Sequence, residues 1–170
     1  YKPWQNVIRI CPAASINTYI RGVKLLKARY EEVADPAQKK VLVDSLMMIY
    51  DLRITHFDKK GMVLGQKAED LFTLAPDRYE EAFNIAKEAI SIEKANTNPS
   101  TLFAYVSIAK AMYDNKKLTA DQVIELYSQV SDYIDAQVTA NPSDDKAKQA
   151  KDGIDAIFAG MGVANCDNVI

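Results

Sequence analysis

The sequence is poor in the side chains from which most catalytic and metal sites are built. It has one histidine and two cysteines among 170 residues. His56 lies at the edge of an apolar helix face, where a core or boundary imidazole is the simplest interpretation, because no second histidine or nearby cysteine can join it. Neither a phosphate-binding glycine-rich loop nor a nucleophile elbow is present. The sequence therefore predicts no metal, no cofactor and no enzymatic activity.

The two cysteines, Cys11 and Cys166, lie near opposite ends of the chain. This separation is not that of a zinc or redox motif. In an open array of helices their Cα atoms would lie beyond the roughly 4.4 to 6.8 Å that a disulfide requires. Two buried or free thiols are therefore favoured, and an intermolecular bridge is the alternative.

Long apolar runs and concentrated positive charge are also missing. No run of about 18 apolar residues is present, which predicts no membrane span, and the first residues lack the order of a signal peptide. The net charge is −2, but residues 1–60 carry 11 Lys/Arg against 6 Asp/Glu, whereas residues 61–170 carry 10 against 17. This asymmetry can steer a partner to one end, but it lacks the basic stripe typical of nucleic-acid binding.

The acidic residues do not form a catalytic or calcium-binding pattern. Most pairs are adjacent in sequence and so lie about 100° apart on a helix, as solvated faces or helix-start charges do. An EF-hand would need alternating acids with a glycine at the sixth place. The pairs are Glu31-Glu32, Glu69-Asp70, Glu80-Glu81 and Asp144-Asp145.

Apolar residues recur at the spacing of a helix throughout the chain, and no stretch alternates long enough to form a sheet. Asp35 with Pro36, Asn98 with Pro99, and Thr119 with Gln122 are typical of helix starts. The predicted class is all-α. The predicted helices cover residues 15–33, 36–57, 62–74, 77–95, 99–114, 119–140 and 143–160.

Short joints make consecutive helices antiparallel neighbours. Helix starts near 62, 99 and 142 mark a two-helix unit that repeats about every 40 residues, so we predict a single right-handed solenoid domain of about seven helices over residues 1–170. A closed seven-helix bundle is the structural alternative. Helix 36–57 has apolar residues on two faces, which predicts a position between two neighbours.

Gly65 lies in the middle of a predicted helix. Glycine there costs about 1 kcal/mol relative to alanine. We therefore expect a neighbouring helix to approach closely at this position.

Residues 62–142 resemble the tetratricopeptide repeat family. Leu64-Gly65 is similar to the Leu-Gly pair of its first helix, and Glu81-Ala82-Phe83 with Ala86 and Ala89 is similar to its second helix, closed by Pro99. The next unit offers Ala109 and Tyr113, then Val123, Tyr127 and Val130, closed by Pro142. The second helices overrun the family length, and the large residue before Leu64 is missing. The resemblance implies a helical-repeat scaffold that binds a protein or peptide.

The two ends resemble secreted bacterial members of this family. The resemblance covers Lys2-Pro3-Trp4 through Cys11-Pro12-Ala13-Ala14-Ser15, and Ala164-Asn165-Cys166-Asp167. It implies a periplasmic or cell-surface location in a Gram-negative bacterium. The opening without Met and the apolar close on Val169-Ile170 predict a piece of a longer array or a processed form.

In such scaffolds the first helix of each pair lines a peptide-binding groove. The resemblance maps five groove-facing candidates onto this sequence: Lys59, Gln66, Glu69, Ser107 and Asp114. Two acids among the five would favour a basic ligand over the carboxylate ligands of known peptide clamps.

The N-terminal segment offers a second candidate interface, because its aromatic and cationic residues are types enriched in hot spots. The candidates are Trp4, Arg9 and Tyr19. Trp4 and nine tyrosines also leave open a glycan-binding or small-molecule-binding module at the cell surface, although most tyrosines fall on apolar stripes. Self-association is one way to bury the apolar end that includes Val163.

Overall fold

The computed structural model describes residues 2–163, with side chains from Asn6 onward. Within this range there are eight α-helices and no strand, which confirms the all-α prediction. Two 3₁₀ turns, Pro76–Arg78 and Lys94–Asn96, flank the fifth helix. The helices are α1 Lys2–Ile10, α2 Ile16–Glu32, α3 Pro36–His56, α4 Lys60–Leu74, α5 Tyr79–Glu93, α6 Pro99–Asp114, α7 Ala120–Ala140 and α8 Asp145–Met161.

Side-chain caps begin four of the eight described helices, α2, α3, α7 and α8. Asp35 accepts from the backbone N–H of Ala37, 3.1 Å away. Thr119 and Gln122 form a complete capping box, which satisfies two backbone donors that a helix start leaves open. Asn98 is a correction: it occupies the cap position, but its side chain makes no capping hydrogen bond.

The chain divides into two compact units, Tyr1–Val63 and Leu64–Ile170. The division falls inside α4, and the single repeat domain over residues 1–170 stays a prediction. α1 is an addition to the predicted helices. It has nine residues, too few for a periodic pattern to stand out in sequence.

In the first unit, α2 and α3 pack against each other along their length, and α1 contacts α2. Tyr19 of α2 is fully buried, and its ring meets Phe57 edge-to-face at a centroid distance of 5.5 Å. Leu26 of α2 and Leu46 of α3 are also buried. The unit is thus built on a helix hairpin whose two helices bury apolar side chains against each other.

In the second unit, α6 is the central helix. It contacts α5, α7 and α8, and its most extensive contact is with α8. At Gly153 of α8, an added Cβ would lie 2.6 Å from the ring of Phe103 on α6. At Gly65 of α4, an added Cβ would lie 2.5 Å from the Thr101 hydroxyl oxygen. The predicted close approach at Gly65 is confirmed, and α6 is the helix that approaches.

A polar network joins α7 to α8. The Tyr127 ring stacks on Phe158 at 3.8 Å between centroids, and its hydroxyl donates to Asp155 at 2.9 Å. Burial, with this hydrogen bond, raises the pKa of Tyr127. Lys151 pairs with Asp135 at 2.6 Å and with Asp155 at 3.3 Å. These contacts fix the rotation of α8 against α7.

The end of α6 carries a lysine where glycine is usual. The backbone N–H of Lys117 donates to the carbonyl of Met112, and that of Lys116 donates to Tyr113. This is the Schellman arrangement, in which the residue after the cap adopts the left-handed conformation. That residue is Lys116, with φ of 58°.

We expect Lys116→Gly to raise the free energy of unfolding by about 0.5 to 1 kcal/mol, because glycine adopts this conformation without steric cost. Urea denaturation monitored by circular dichroism measures the change. Lys87→Gly, on an exposed position inside α5, is the matched control and should lose about 1 kcal/mol. A destabilised Lys116→Gly variant would contradict the prediction.

Candidate partner-binding surfaces

One face of α6 presents a row of polar and aromatic side chains. Its members are spaced alternately three and four residues apart, and each is exposed or half-buried. Two predicted groove residues belong to it. The row consists of Ser100, Phe103, Ser107, Lys110 and Asp114.

The predicted groove residues of this row are engaged within their own helix. The Ser107 hydroxyl donates to the Phe103 carbonyl at 2.9 Å. Asp114 pairs with Lys110 at 2.5 Å, with both side chains about half exposed. Exposed pairs of this kind contribute little to stability, so Asp114 remains accessible to a partner.

Glu69 and Gln66 lie on α4 and are half-buried. Glu69 accepts from the Ser100 hydroxyl at 3.1 Å and from the Thr101 hydroxyl at 2.5 Å. A carboxylate held by two hydroxyls of α6 acts mainly as a link between α4 and α6. Gln66 also has an interaction within the chain.

Lys59 is exposed and belongs to the first unit, whereas the other four predicted groove residues belong to the second. Its φ of 70° is in the left-handed region. It occupies the turn directly before α4.

The two N-terminal candidates whose side chains the structure describes, Arg9 and Tyr19, differ in exposure. Arg9 is exposed near the end of α1, and the side chain of Trp4 lies outside the described residues. Tyr19 is a correction: it is a core residue with 0% exposure, its hydroxyl donates to the Pro12 carbonyl at 2.8 Å, and burial raises its pKa. It offers no surface to a partner.

An open groove that was not predicted from the sequence lies between the end of α2 and the start of α3. Its volume is about 730 Å³ and its walls are mostly apolar. All of its lining residues belong to the first unit. They are Arg29, Val33, Ala37, Gln38, Val41 and Leu42.

Exposed apolar side chains are also present on the two helices that flank the groove. Val41 and Met48 are 64% and 55% exposed and lie two turns apart on one face of α3. Leu25, 41% exposed, lies one turn before Arg29 on α2. We call Leu25, Val41 and Met48, together with the groove lining, the α2–α3 groove. Exposed apolar groups that cluster in this way mark interaction sites more often than isolated ones do.

A signal for this groove exists in the sequence. The two apolar faces predicted for α3 are buried or half-buried, as Leu46 and Val43 illustrate. Val41 and Met48 belong to neither face and form a third. A helix that is apolar nearly all round must bury its faces or offer one to a partner.

The surroundings of the groove are charged unequally. On α2, Arg21, Lys24 and Arg29 are exposed. Arg29 pairs with Glu32 on its own helix at 2.9 Å, and both side chains are more than half exposed. Lys27 is exposed as well, and so are Glu31 and Glu32 at the end of the helix. Cations therefore outnumber acids on α2 by four to two.

The reactive groups of the described chain are dispersed. Within residues 2–163 no group of three or more His, Cys, Asp or Glu side chains could hold a metal ion. Cys11 is an exposed free thiol, Cys166 lies outside this range, and His56 is half-buried. Among the described helices, none has the length and apolar character to cross a membrane.

Comparison of the chain with protein-family models, with curated proteins and with solved structures gives no match.

Proposed function

We propose that this chain is a non-enzymatic scaffold of the tetratricopeptide kind, which holds a protein or peptide partner. The packing of alternate helices in the second unit supports a solenoid. α4 meets α6 at Gly65 and Thr101, and α6 meets α8 at Phe103 and Gly153. In helix-pair solenoids the first helix of each pair packs on the first helix of the next pair. α4, α6 and α8 would be those first helices.

The observation that carries the binding function is the α2–α3 groove. Its walls are apolar, and Val41 and Met48 would lose large exposed surfaces when covered. Burial of apolar surface is the main favourable term in association. An open groove between two helices suits a helix of the partner, whose apolar residues recur every three or four positions.

The distribution of tyrosines does not favour a glycan-binding module. Carbohydrate platforms require aromatic rings exposed beside polar groups, whereas each tyrosine in the described range is buried or half-buried. Tyr19, Tyr50 and Tyr105 lie in the core. The envelope location implied by the family resemblance stays a prediction.

We expect Val41→Asp to weaken partner binding by more than about 30-fold, because a carboxylate would lose its hydration in an apolar contact. The test is selection of helical peptides from a displayed library on the wild-type chain, followed by titration of the selected peptides. Ile92→Asp is the matched control, since Ile92 is an apolar residue of the second unit with 46% exposure. It should bind as the wild type does.

Both variants should keep the thermal midpoint of the wild type, because both positions are exposed. Peptides that bind all three proteins equally would show that another surface is used. The α6 row would then be examined through Phe103→Asp. Failure of every library to yield a binder would contradict the scaffold proposal itself.

A further inference from the structure

We propose that the occupant of the α2–α3 groove is an amphipathic α-helix with carboxylates on the flank that faces α2. This inference rests on the proposed function and adds the chemistry of the partner. The apolar spacing supports a helix along α3: Val41 and Met48 are seven residues apart, or about 10.5 Å along a helix axis. Apolar residues at positions i and i+7 of a partner helix match that distance.

The cations of α2 supply the charge complementarity. Arg21, Leu25 and Arg29 follow each other at intervals of four residues and so lie on one face of α2. The two arginines are about 12 Å apart along the axis. Carboxylates two turns apart on the partner would reach both guanidinium groups, which bind carboxylates through paired hydrogen bonds.

Arg29 can exchange its present partner. Its pair with Glu32 joins two side chains of the same helix, both more than half exposed. Such pairs are nearly neutral in free energy, so a carboxylate held in a less solvated groove competes favourably. Arg21 and Arg29 would then clamp the partner on either side of Leu25.

The α3 edge of the groove sets the orientation of the partner helix. On α3, Lys40, Asp44 and Asp51 are exposed beside the Val41–Met48 face. Asp44 and Asp51 already interact with other residues of the chain. This edge carries both signs of charge and does not attract carboxylates. At longer range, residues 1–60 carry five more Lys/Arg than Asp/Glu, which draws an acidic partner towards this part of the chain.

The experiment compares two labelled helical peptides that share one leucine stripe and have matched helicity. One peptide carries glutamates on the flank two turns apart, and the other carries lysines at the same positions. Their binding to the full chain is measured by fluorescence anisotropy. We expect the glutamate peptide to bind about tenfold more tightly, since two partly exposed ion pairs are formed and two repulsions are avoided. The ratio should shrink towards one at about 0.5 M salt.

Charge reversal tests whether Arg21 and Arg29 determine the preference for the glutamate peptide. In the Arg21→Glu/Arg29→Glu variant the lysine peptide should become the tighter binder, whereas Lys87→Glu, an exposed control on α5, should leave the order unchanged. Val41→Asp should weaken both peptides. An equal affinity for the two peptides, or a preference for lysine on the wild-type chain, would overturn the partner chemistry.

Failure of the inference and failure of the proposed function give different results. If neither designed peptide binds but the library yields peptides that depend on Val41, the partner chemistry is wrong and the groove function stands. If the library also fails, both are wrong. Concentration-dependent dimers in sedimentation, lost in Val41→Asp, would identify a second copy of the chain as the occupant and would also overturn the inference.

Discussion

Gly65→Ala is expected to lower the free energy of unfolding by about 2 kcal/mol, although alanine is the better helix former. The new Cβ would lie 2.5 Å from the hydroxyl oxygen of Thr101 and 2.9 Å from its methyl group. Overpacking of this kind costs about 1 to 3 kcal/mol, and displacing Thr101 also weakens its hydrogen bond to Glu69, worth about 1 kcal/mol. The higher helix propensity of alanine offsets about 1 kcal/mol of this loss. Thermal unfolding should show a midpoint about 4 to 8 °C lower.

Gly160→Ala is the matched control. Gly160 is also in a helix, but an added Cβ would meet nothing within 4 Å. Alanine there should be neutral or stabilise the chain by up to about 1 kcal/mol. If the free energy of unfolding falls in Gly65→Ala and is unchanged or rises in Gly160→Ala, the contact with α6 is the cause of the destabilisation. A neutral or stabilised Gly65→Ala variant would mean that α4 and α6 do not approach as described.

The double variant Gly65→Ala/Thr101→Ala separates steric from polar effects. Truncating Thr101 removes the two atoms closest to the new Cβ and leaves Ser100 to donate to Glu69. The double variant should therefore be more stable than the sum of the single changes predicts, by about 1 kcal/mol or more. If the changes in the free energy of unfolding are additive, Thr101 does not clash with the new Cβ of Ala at position 65.

Local sequence signals predict much of the helical structure. The three-and-four spacing identifies the class, and the caps at Asp35 and Thr119 form as their residue types require. Gly65 is informative because glycine inside a helix is costly and needs a compensating contact. These inferences succeed because each depends on residues within one or two helical turns.

The remaining features depend on contacts between residues distant in sequence. Tyr19 lies near a polar, aromatic N-terminal segment in sequence, yet Phe57 and the Pro12 carbonyl enclose it in the fold. The sequence predicts Glu69 as a groove residue, but in the structure its carboxylate accepts hydrogen bonds from two hydroxyls of α6. Pattern alone cannot show which partner surrounds a side chain.

The α2–α3 groove illustrates the same limit. Periodicity identifies α3 as apolar on several faces, but only the packing of α2 shows which of them are covered. Val41 and Met48 remain exposed, whereas Val43 and Leu46 have equally apolar side chains and are buried. The exposed face becomes a candidate site only after the covered faces are assigned.

The stability of the second unit should fall steeply at alkaline pH because of Tyr105. This residue is buried in α6 and stacks on Phe83 at 5.1 Å between ring centroids. Burial raises the pKa of Tyr105 from 10.0 to about 12, since the tyrosinate loses its hydration inside the core. The folded state therefore binds the phenolic proton more tightly than the unfolded state does.

The sign of the pH dependence follows from that difference. Below pH 10 both states keep the proton and stability is unaffected. Between pH 10 and about 12 the unfolded state releases it first, so the free energy of unfolding should fall by about 3 kcal/mol, at 1.36 kcal/mol for each pKa unit. Burial also raises the pKa of Tyr127, which adds to the decline of the second unit. The raised pKa of Tyr19 acts in the same direction on the first unit.

Tyr105→Phe isolates the contribution of Tyr105, because phenylalanine keeps the stacked ring and removes the ionisable hydroxyl. Urea denaturation across pH 9 to 12 should give a shallower decline for the variant than for the wild type, with the difference approaching about 3 kcal/mol at the alkaline end. Tyr133→Phe, at a half-buried position of α7, is the matched control and should follow the wild-type curve. Parallel curves for Tyr105→Phe and the wild type would show that the Tyr105 hydroxyl is hydrated in the folded chain and that α5 and α6 do not enclose it.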